Sequence, residues 1–289
     1  MNSDFIFVLG TAQDGGFPHV GCDKDCCSSA IKNLELQRLV SSIAIIDDLK
    51  KCFWMIDSTP DFKSQLSLLS NYINHFTYPY FSGIFLTHAH MGHYSGLLNL
   101  GLEVMNLRNI PVYVLSGMKH FLMGNSIFYN LVKNKNIAIK EMVEDKPIIL
   151  NDNISIVPFQ VPHRNELSET VGFKVISENR SVIYIPDIDS WEEWDENIID
   201  IISGNNISIL DGTFFSKEEI NYRNTQKIPH PTINESILKF NSLDHTDRKK
   251  VFFTHLNHTN RALDQRSDEY KYVITSGYNI LKDGQIIQL

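Results

Sequence analysis

The sequence predicts one α/β (α+β) domain over residues 1–289, in which two β-rich halves are each covered by helices. Short apolar runs of strand length recur along the chain, and helical patterns separate several of them. The sequence holds no long Pro/Gly/Ser-rich linker, low-complexity block or charge run that would divide it. These observations favour a single fold with too many strands for one small sheet.

The predicted elements follow from apolar periodicity. Strands are predicted at 5–9, 39–46, 52–56, 83–87, 112–115, 154–158, 171–176, 182–185, 207–210 and 251–254. The polar turn at 47–51 joins the second strand to the third and predicts a hairpin. Helices are predicted at 61–73, 95–105, 192–202 and 233–240.

The composition limits the classes of partner. A hydrophobic content of 43% allows a large core, whereas a formal net charge of -8 argues against a broad basic surface for nucleic acid or anionic membrane. No apolar stretch reaches the roughly 18–20 residues that span a bilayer, and the N-terminal residues include no basic, signal-like segment. We expect a cytoplasmic protein with a small-molecule or peptide substrate and no nucleic-acid or membrane partner; the sequence carries no signal for its oligomeric state.

Three histidines, His88, His90 and His93, follow directly on the predicted strand 83–87. A loop at the carboxyl end of a strand is a common place from which several imidazoles converge on one point. One histidine alone would indicate a structural role, but three at this spacing indicate a metal site. Imidazoles with added carboxylates suit Zn²⁺ or Fe²⁺ and leave an open position for water.

Four further polar residues come just after apolar strands: His163, Asp187, Asp211 and His255. For each of them alone a turn or capping role is an equal alternative. Their repetition after the histidine loop favours a converging site.

A cysteine cluster, Cys22, Cys26 and Cys27, lies within six residues. In a reducing cytoplasm such clustering favours a metal over disulfides, whereas Cys52, in an apolar strand, is expected in the core. Three thiolates need a fourth ligand to complete a tetrahedral structural zinc site. His258, three residues after His255, is the favoured candidate and His19 is the local alternative; three reduced cysteines without a metal are the other interpretation.

The string Thr-His-Ala-His-Met-Gly-His at 87–93, followed by His163, Asp187 and His255, resembles the signature of the metallo-β-lactamase superfamily. The resemblance implies a four-layer αββα sandwich of two mixed β-sheets flanked by helices. It also implies a first metal site and a second one, with Asp187 bridging them. The first site is formed by His88, His90 and His163, the second by His93 and His255, and Asp57 supports the histidine loop.

Within that superfamily the chain is similar to the family of coenzyme PQQ biosynthesis protein B. The similarity rests on the strings at 9–18, 186–191, 210–214 and 253–260 taken together. The segment 229–231, Pro-His-Pro, resembles a Gly-His-x-Pro segment of that family, which places His230 at the substrate; a rigid surface turn is the alternative. The superfamily's phosphonate-pathway cyclic phosphodiesterase also pairs a cysteine cluster with a histidine three positions after its last active-site histidine, which favours His258.

Gly92 departs from the superfamily pattern. It stands where an aspartate usually ligates the second metal, and a glycine has no side chain that can do so. The sequence therefore predicts a second metal that is weak, absent, or completed by water or by another carboxylate. Asp14 and Asp211 are the nearest candidates in the motifs.

The favoured activity is hydrolysis, in which a metal lowers the pKa of bound water from about 15.7 towards 7 for attack on an ester, amide or phosphodiester. Asp187, His163 and Asp57 are the predicted catalytic residues beside the metal ligands. Zinc is expected in the cysteine site and in the active site, with Fe²⁺ as the active-site alternative. An iron-dependent oxygenase of cofactor biosynthesis and a non-catalytic, metal-organised binding protein are the two other hypotheses.

Overall fold

The computed structural model describes residues 4–73, 81–220 and 229–289, and within these ranges two seven-stranded sheets face each other. The strands of the first sheet are β1 (Phe5–Gly10), β2 (Ser42–Asp47), β3 (Cys52–Ile56), β4 (Phe81–Phe85), β5 (Ile110–Val114), β6 (Ile137–Glu141) and β14 (Ile286–Gln288). The strands of the second are β7 (Ile148–Ile149), β8 (Ser155–Gln160), β9 (Val171–Ile176), β10 (Ser181–Ile185), β11 (Ile207–Asp211), β12 (Val251–Thr254) and β13 (Asn279–Ile280).

Each sheet is antiparallel in one half and parallel in the other. The first has the order β14-β1-β2-β3-β4-β5-β6, with antiparallel pairs as far as β3 and parallel pairs from β3 to β6. The second has the order β13-β12-β11-β10-β9-β8-β7, with parallel pairs from β10 to β13 and antiparallel pairs elsewhere. The predicted hairpin at 47–51 is confirmed, because Asp47 pairs with Cys52 across it.

Helices lie outside the two sheets. Those described are α1 (Asp25–Lys32), α2 (Phe62–Tyr72), α3 (Met91–Tyr94), α4 (Ser116–Gly124), α5 (Ser126–Lys133), α6 (Ile198–Ser203), α7 (Ile233–Lys239), α8 (His245–Arg248) and α9 (Asp268–Thr275). Among these described helices, none has both the length and the apolar character that crossing a bilayer requires.

Alternation along the strands explains the layers. In β1, Ile6 and Val8 face a cluster between the sheets that also contains Phe173 of the second sheet. Phe7 and Leu9 face the opposite way, into a cluster with the apolar side of α2. A third cluster lies between the second sheet and α6, α7 and α9. The predicted four-layer αββα sandwich of two mixed sheets is therefore confirmed.

Two predicted helices differ from the structure. The prediction for 95–105 is wrong in extent, because a short 3-10 helix (Ser95–Leu100) ends where the amide of Gly101 donates to Leu98. The prediction for 192–202 holds only for α6, whose first turn is capped by the Asn197 side chain. The residues before that cap are not helical. There, Trp194 Nε1 donates a hydrogen bond to the carbonyl of Gln160.

Candidate metal centre

The candidate site lies at the carboxyl ends of parallel strands in both sheets. Asp57 follows β3, the histidine loop 88–93 follows β4, Asp187 follows β10 and His255 follows β12. Because the two sheets present these strand ends at one edge of the sandwich, residues far apart in sequence meet there. The structure thus brings together all the predicted active-site residues.

The first group consists of three ring nitrogens. His90 Nδ1 lies 2.8 Å from His88 Nε2 and 3.2 Å from His163 Nε2. The other nitrogen of His163, Nδ1, lies 2.7 Å from Asp189 Oδ1, which fixes the orientation of the ring. Asp189 was missed in the sequence analysis, although its place two residues after Asp187 is a signal that could have identified it.

The second group contains His93, His255 and a carboxylate, Asp14. Asp14 Oδ1 lies 3.4 Å from His93 Nε2 and 3.3 Å from His255 Nε2. The ring of His255 is oriented from the other side, because its Nδ1 lies 2.9 Å from Thr213 Oγ1. His255 itself has a positive φ of 59°, so its backbone turns sharply directly after β12.

Asp14 occupies the space that Gly92 leaves open. A Cβ atom added to Gly92 would lie 2.3 Å from Asp14 Oδ1 and 2.6 Å from its Cγ. The N-terminal segment reaches this point by pairing with the His255 loop, since the amide of Gln13 donates to Leu256. A carboxylate from a different part of the chain therefore stands where the superfamily's loop aspartate is expected.

Asp187 lies between the two groups. Its Oδ1 is 3.8 Å from His163 Nε2, and its Oδ2 is 3.0 Å from His93 Nε2 and 3.3 Å from His255 Nε2. Asp187 Oδ2 and His93 Nε2 are both buried and have no hydrogen-bond partner among the described residues. Buried polar atoms are normally satisfied, so a pair of them facing one centre fits a bound cation.

Asp57 supports the histidine loop from below. Its buried carboxylate lies 2.7 Å from His93 Nδ1 and accepts hydrogen bonds from the amide and the hydroxyl of Thr87. Thr87 Oγ1 also lies 2.9 Å from His88 Nδ1. Asp57 thus orients the rings of both groups without contacting the open centre.

Two histidines of the first group, His88 and His90, are held neutral. Burial, followed by the charge of a protonated His93, lowers the pKa of His88 well below its usual value. Burial, followed by His163 and Arg164, lowers the pKa of His90 to about 4. A neutral imidazole is the form that binds a metal, so these rings need lose no proton at neutral pH.

The two carboxylates are held ionised. Burial alone would raise the pKa of Asp14 and of Asp187, but His255 and His93 outweigh burial and hold both pKa values well below the usual range. Burial alone would lower the pKa of His93, but Asp57, Asp14 and Asp187 outweigh burial and raise that pKa well above its usual value, so a cation bound there would displace a proton. A donor set of imidazoles and carboxylates suits a divalent cation.

Asp211, the other candidate for the place of the missing loop aspartate, does not join the second group. Its Oδ1 accepts hydrogen bonds from the amide and the hydroxyl of Thr213. Its Oδ2 lies 2.7 Å from His230 Nδ1 and also accepts a bond from the amide of Ile188. Asp211 therefore positions Thr213 and His230, whose ring lies 5.4 Å from that of His163.

The cysteine cluster also meets its favoured partner. Sγ of Cys26 lies 3.9 Å from Sγ of Cys27 and 3.8 Å from His258 Nδ1, and Cys22 completes a group with all four ligand atoms within 4.8 Å of one another. Two sulfurs on a tetrahedral zinc lie roughly 3.8 Å apart, which fits this group. His19 lies outside it, with Nδ1 2.8 Å from the carbonyl of Val20.

Cys22→Ser should destabilise the protein and reduce the metal content of the active site. The cysteine site joins the segment carrying Asp14 to the loop carrying His255, so a zinc there holds two ligands of the second group in place. We expect the melting temperature to fall by roughly 5 °C or more. Cys52→Ser, which changes a thiol outside the cluster, is the control. Unchanged melting and unchanged metal content in Cys22→Ser would contradict the structural role.

The chain is similar to known proteins over most of its length. A family model described as the beta-lactamase superfamily domain matches residues 54–256. Coenzyme PQQ synthesis protein B of Methylorubrum extorquens strain PA1 is 23% identical over 312 aligned residues, which cover 98% of this chain and 99% of that protein.

Two solved structures are similar in fold. Zn²⁺-bound PqqB from Methylobacterium extorquens has a TM-score of 0.84 at 21% identity, with 99% of this chain and 100% of that chain covered. A diphosphatase from the PhnP family has a TM-score of 0.70 at 22% identity, with 98% and 96% covered. The chain belongs to the metallo-β-lactamase superfamily, as a PqqB-like member with three histidines in the loop 88–93.

Proposed function

We propose that this protein is a hydrolase with two divalent metals, and that it cleaves a phosphodiester or a related ester. The observation that carries the proposal is the carboxylate of Asp14 in the space opened by Gly92, which gives the second group a complete set of donors. Two metals clamp the attacking and the leaving oxygen of a phosphoryl group better than one. A protein of similar fold, described as a diphosphatase from the PhnP family, acts on a phosphoryl group, which is consistent with a phosphorus-centred substrate.

Each group has an assigned metal position. His88, His90 and His163 would hold one ion, and Asp14, His93 and His255 the other, with Asp187 shared between them. The bound ions supply Lewis acidity and make water at the site acidic enough to act as a nucleophile near pH 7. Zinc is the metal we assign to both the active site and the cysteine site, since the donors are imidazole, carboxylate and thiolate.

His230 is the residue we assign to protonation of the leaving group. Asp211 holds its Nδ1 at 2.7 Å, and the ring lies between those of His163 and His255, at 5.4 and 6.1 Å. A cleft of about 590 Å³ opens beside it, lined also by Asp189 and other residues. A buried histidine oriented by a carboxylate is a common proton donor in hydrolases.

His230→Asn should slow hydrolysis of substrates with poor leaving groups much more than of activated ones. A p-nitrophenolate is a stable anion that leaves without being protonated, whereas an alkoxide must be protonated as it leaves. For His230→Asn, kcat should therefore fall on the order of 10²-fold for the alkyl ester and stay nearly unchanged for the p-nitrophenyl ester. Equal losses for both substrates would show that His230 has a different role.

Hydrolysis of a panel of phosphodiesters, carboxylic esters and lactones by zinc-loaded protein tests the proposed function directly. We expect the wild-type protein to hydrolyse phosphodiesters. A chelator should abolish this turnover, added zinc should restore it, and His88→Ala should show none. His120→Ala, which removes an exposed histidine on α4, should retain full activity. Absence of all turnover with both metals bound would count against a hydrolase.

A redox enzyme of cofactor synthesis is the second candidate, favoured by the full-length similarity to coenzyme PQQ synthesis protein B. Histidines with a carboxylate also suit non-haem Fe²⁺. Elemental analysis of anaerobically purified protein separates the two, because iron in the active site supports the redox enzyme and zinc supports the hydrolase.

A further inference from the structure

We propose that Arg164 binds a negatively charged group of the substrate, so that this protein acts on anionic rather than neutral substrates. The anionic group is an oxyanion, either a phosphoryl or a carboxylate group, next to the bond that is cleaved. This inference rests on the proposed hydrolase and names the class of its substrate.

Arg164 directly follows His163 in the sequence, and its guanidinium lies against His90 of the first metal group. Its Nη2 lies 3.3 Å from Nδ1 and 3.2 Å from Nε2 of His90. Because the nitrogen is shared almost equally between the two ring nitrogens, neither distance marks a single directed hydrogen bond. An imidazole that ligates a metal through Nδ1 offers no lone pair there to a guanidinium, so His90 is a poor partner for this cation.

One donor of the guanidinium is also unsatisfied. Nε of Arg164 is buried and has no hydrogen-bond partner within the described ranges. Nε and Nη2 together form the planar edge with which an arginine binds the two oxygens of a carboxylate or phosphate side by side. A buried donor without a partner is costly, and an oxyanion is the ligand that would satisfy both nitrogens at once.

A structural ion pair does not account for this side chain. Arg164 has no carboxylate within 4.0 Å among the residues that the structure describes, and the three stretches outside those ranges contain no Asp or Glu. Glu166 contacts His90 rather than Arg164: its Oε1 lies 3.9 Å from His90 Nε2, and its side chain is 56% exposed. Arg164 is therefore a half-buried cation that the protein leaves without a charged partner.

Bound metal ions would increase the electrostatic repulsion on this guanidinium. Two divalent ions would carry more positive charge than Asp14 and Asp187 neutralise, and a guanidinium beside the first group adds to the repulsion. An anionic substrate would reduce that repulsion and would also accept hydrogen bonds from the guanidinium of Arg164. The resulting local positive site differs in sign from the whole chain, whose formal net charge is -8.

Binding of inorganic phosphate and of acetate to zinc-loaded protein, measured by calorimetry, tests this assignment without turnover. Relative to wild type, Arg164→Gln should bind the oxyanion roughly tenfold or more weakly, since a charged bidentate contact is lost. Arg164→Lys keeps the charge but not the planar edge, so its affinity should lie between the two. Arg180→Gln is the matched control. Arg180 is exposed and directly precedes β10, whereas Asp187 and the metal site lie beyond the other end of that strand. Tighter binding of phosphate or of acetate identifies which oxyanion the site prefers.

A second readout separates this inference from the proposed function. In Arg164→Gln, KM should rise for a phosphodiester and stay unchanged for a neutral ester of similar size. Unchanged phosphate affinity, equal effects on charged and neutral substrates, or a loss of metal large enough to explain the lost binding would each overturn the role of Arg164. A lack of turnover in wild type with phosphate affinity still dependent on Arg164 would instead overturn the hydrolase and leave the anion site standing.

Discussion

Asp187→Asn should remove most of the metal from both groups and abolish most of the hydrolytic activity. Asp187 approaches His163 with one oxygen and both His93 and His255 with the other, so its charge would stabilise an ion in each group. Asparagine keeps the size but not the charge. Because a metal contributes several kcal/mol of transition-state stabilisation, kcat should fall on the order of a thousandfold.

The control for Asp187→Asn is Asp152→Asn, which removes an exposed carboxylate that pairs with Lys50 on the surface. Exposed pairs contribute little, so its metal content and activity should match wild type. Metal analysis and steady-state kinetics on the same preparations give the answer. If Asp187→Asn kept two ions and an activity within tenfold of wild type, Asp187 would not be a ligand of the metal centre.

Asp14→Asn should remove the second ion and leave the first. Its carboxylate contacts His93 and His255 but no histidine of the first group, so the loss is selective. We expect one metal fewer per chain and a decrease in kcat on the order of a hundredfold for a phosphodiester. Full metal content in Asp14→Asn would show that the second ion does not depend on this residue.

A swap of the two positions tests why Gly92 is a glycine. Gly92→Asp alone should disrupt the site, since its Cβ would lie 2.3 Å from Asp14 Oδ1. The double variant Asp14→Gly with Gly92→Asp returns the carboxylate to the loop, and Gly92 lies in the helical turn α3, where an aspartate is conformationally allowed. The double variant should bind more metal than Asp14→Gly alone. Equal metal content in the two would mean that the positions do not substitute for each other.

Short apolar runs separated by helical patterns predicted two β-rich halves covered by helices. The four-layer sandwich followed from the resemblance of the histidine loop to the superfamily signature. The sequence could not predict β7, β13 or β14, which have two or three residues and depend on their neighbours for position. The helix expected at 192–202 failed for a related reason, since the indole of Trp194 is held by a contact distant in sequence. Local pattern does not record such contacts.

The site shows the same division. The histidine loop could be predicted because its three ligands share one short segment after a strand. The sequence could not decide whether Asp14 or Asp211 completes the second group. Both residues lie near strand ends at the same edge of the sandwich, so the choice depends on tertiary packing. Asp14 is brought in by the pairing of Gln13 with Leu256, and Asp211 is engaged by Thr213 and His230.

Metal content per chain, measured by mass spectrometry on protein purified without added metal, tests the central claim most directly. A centre completed by Asp14, together with the cysteine site, predicts roughly three divalent ions in wild type and one fewer in Asp14→Asn. Two ions in wild type with no change in Asp14→Asn would contradict it, because the active site would then hold a single metal for which Asp14 is not needed.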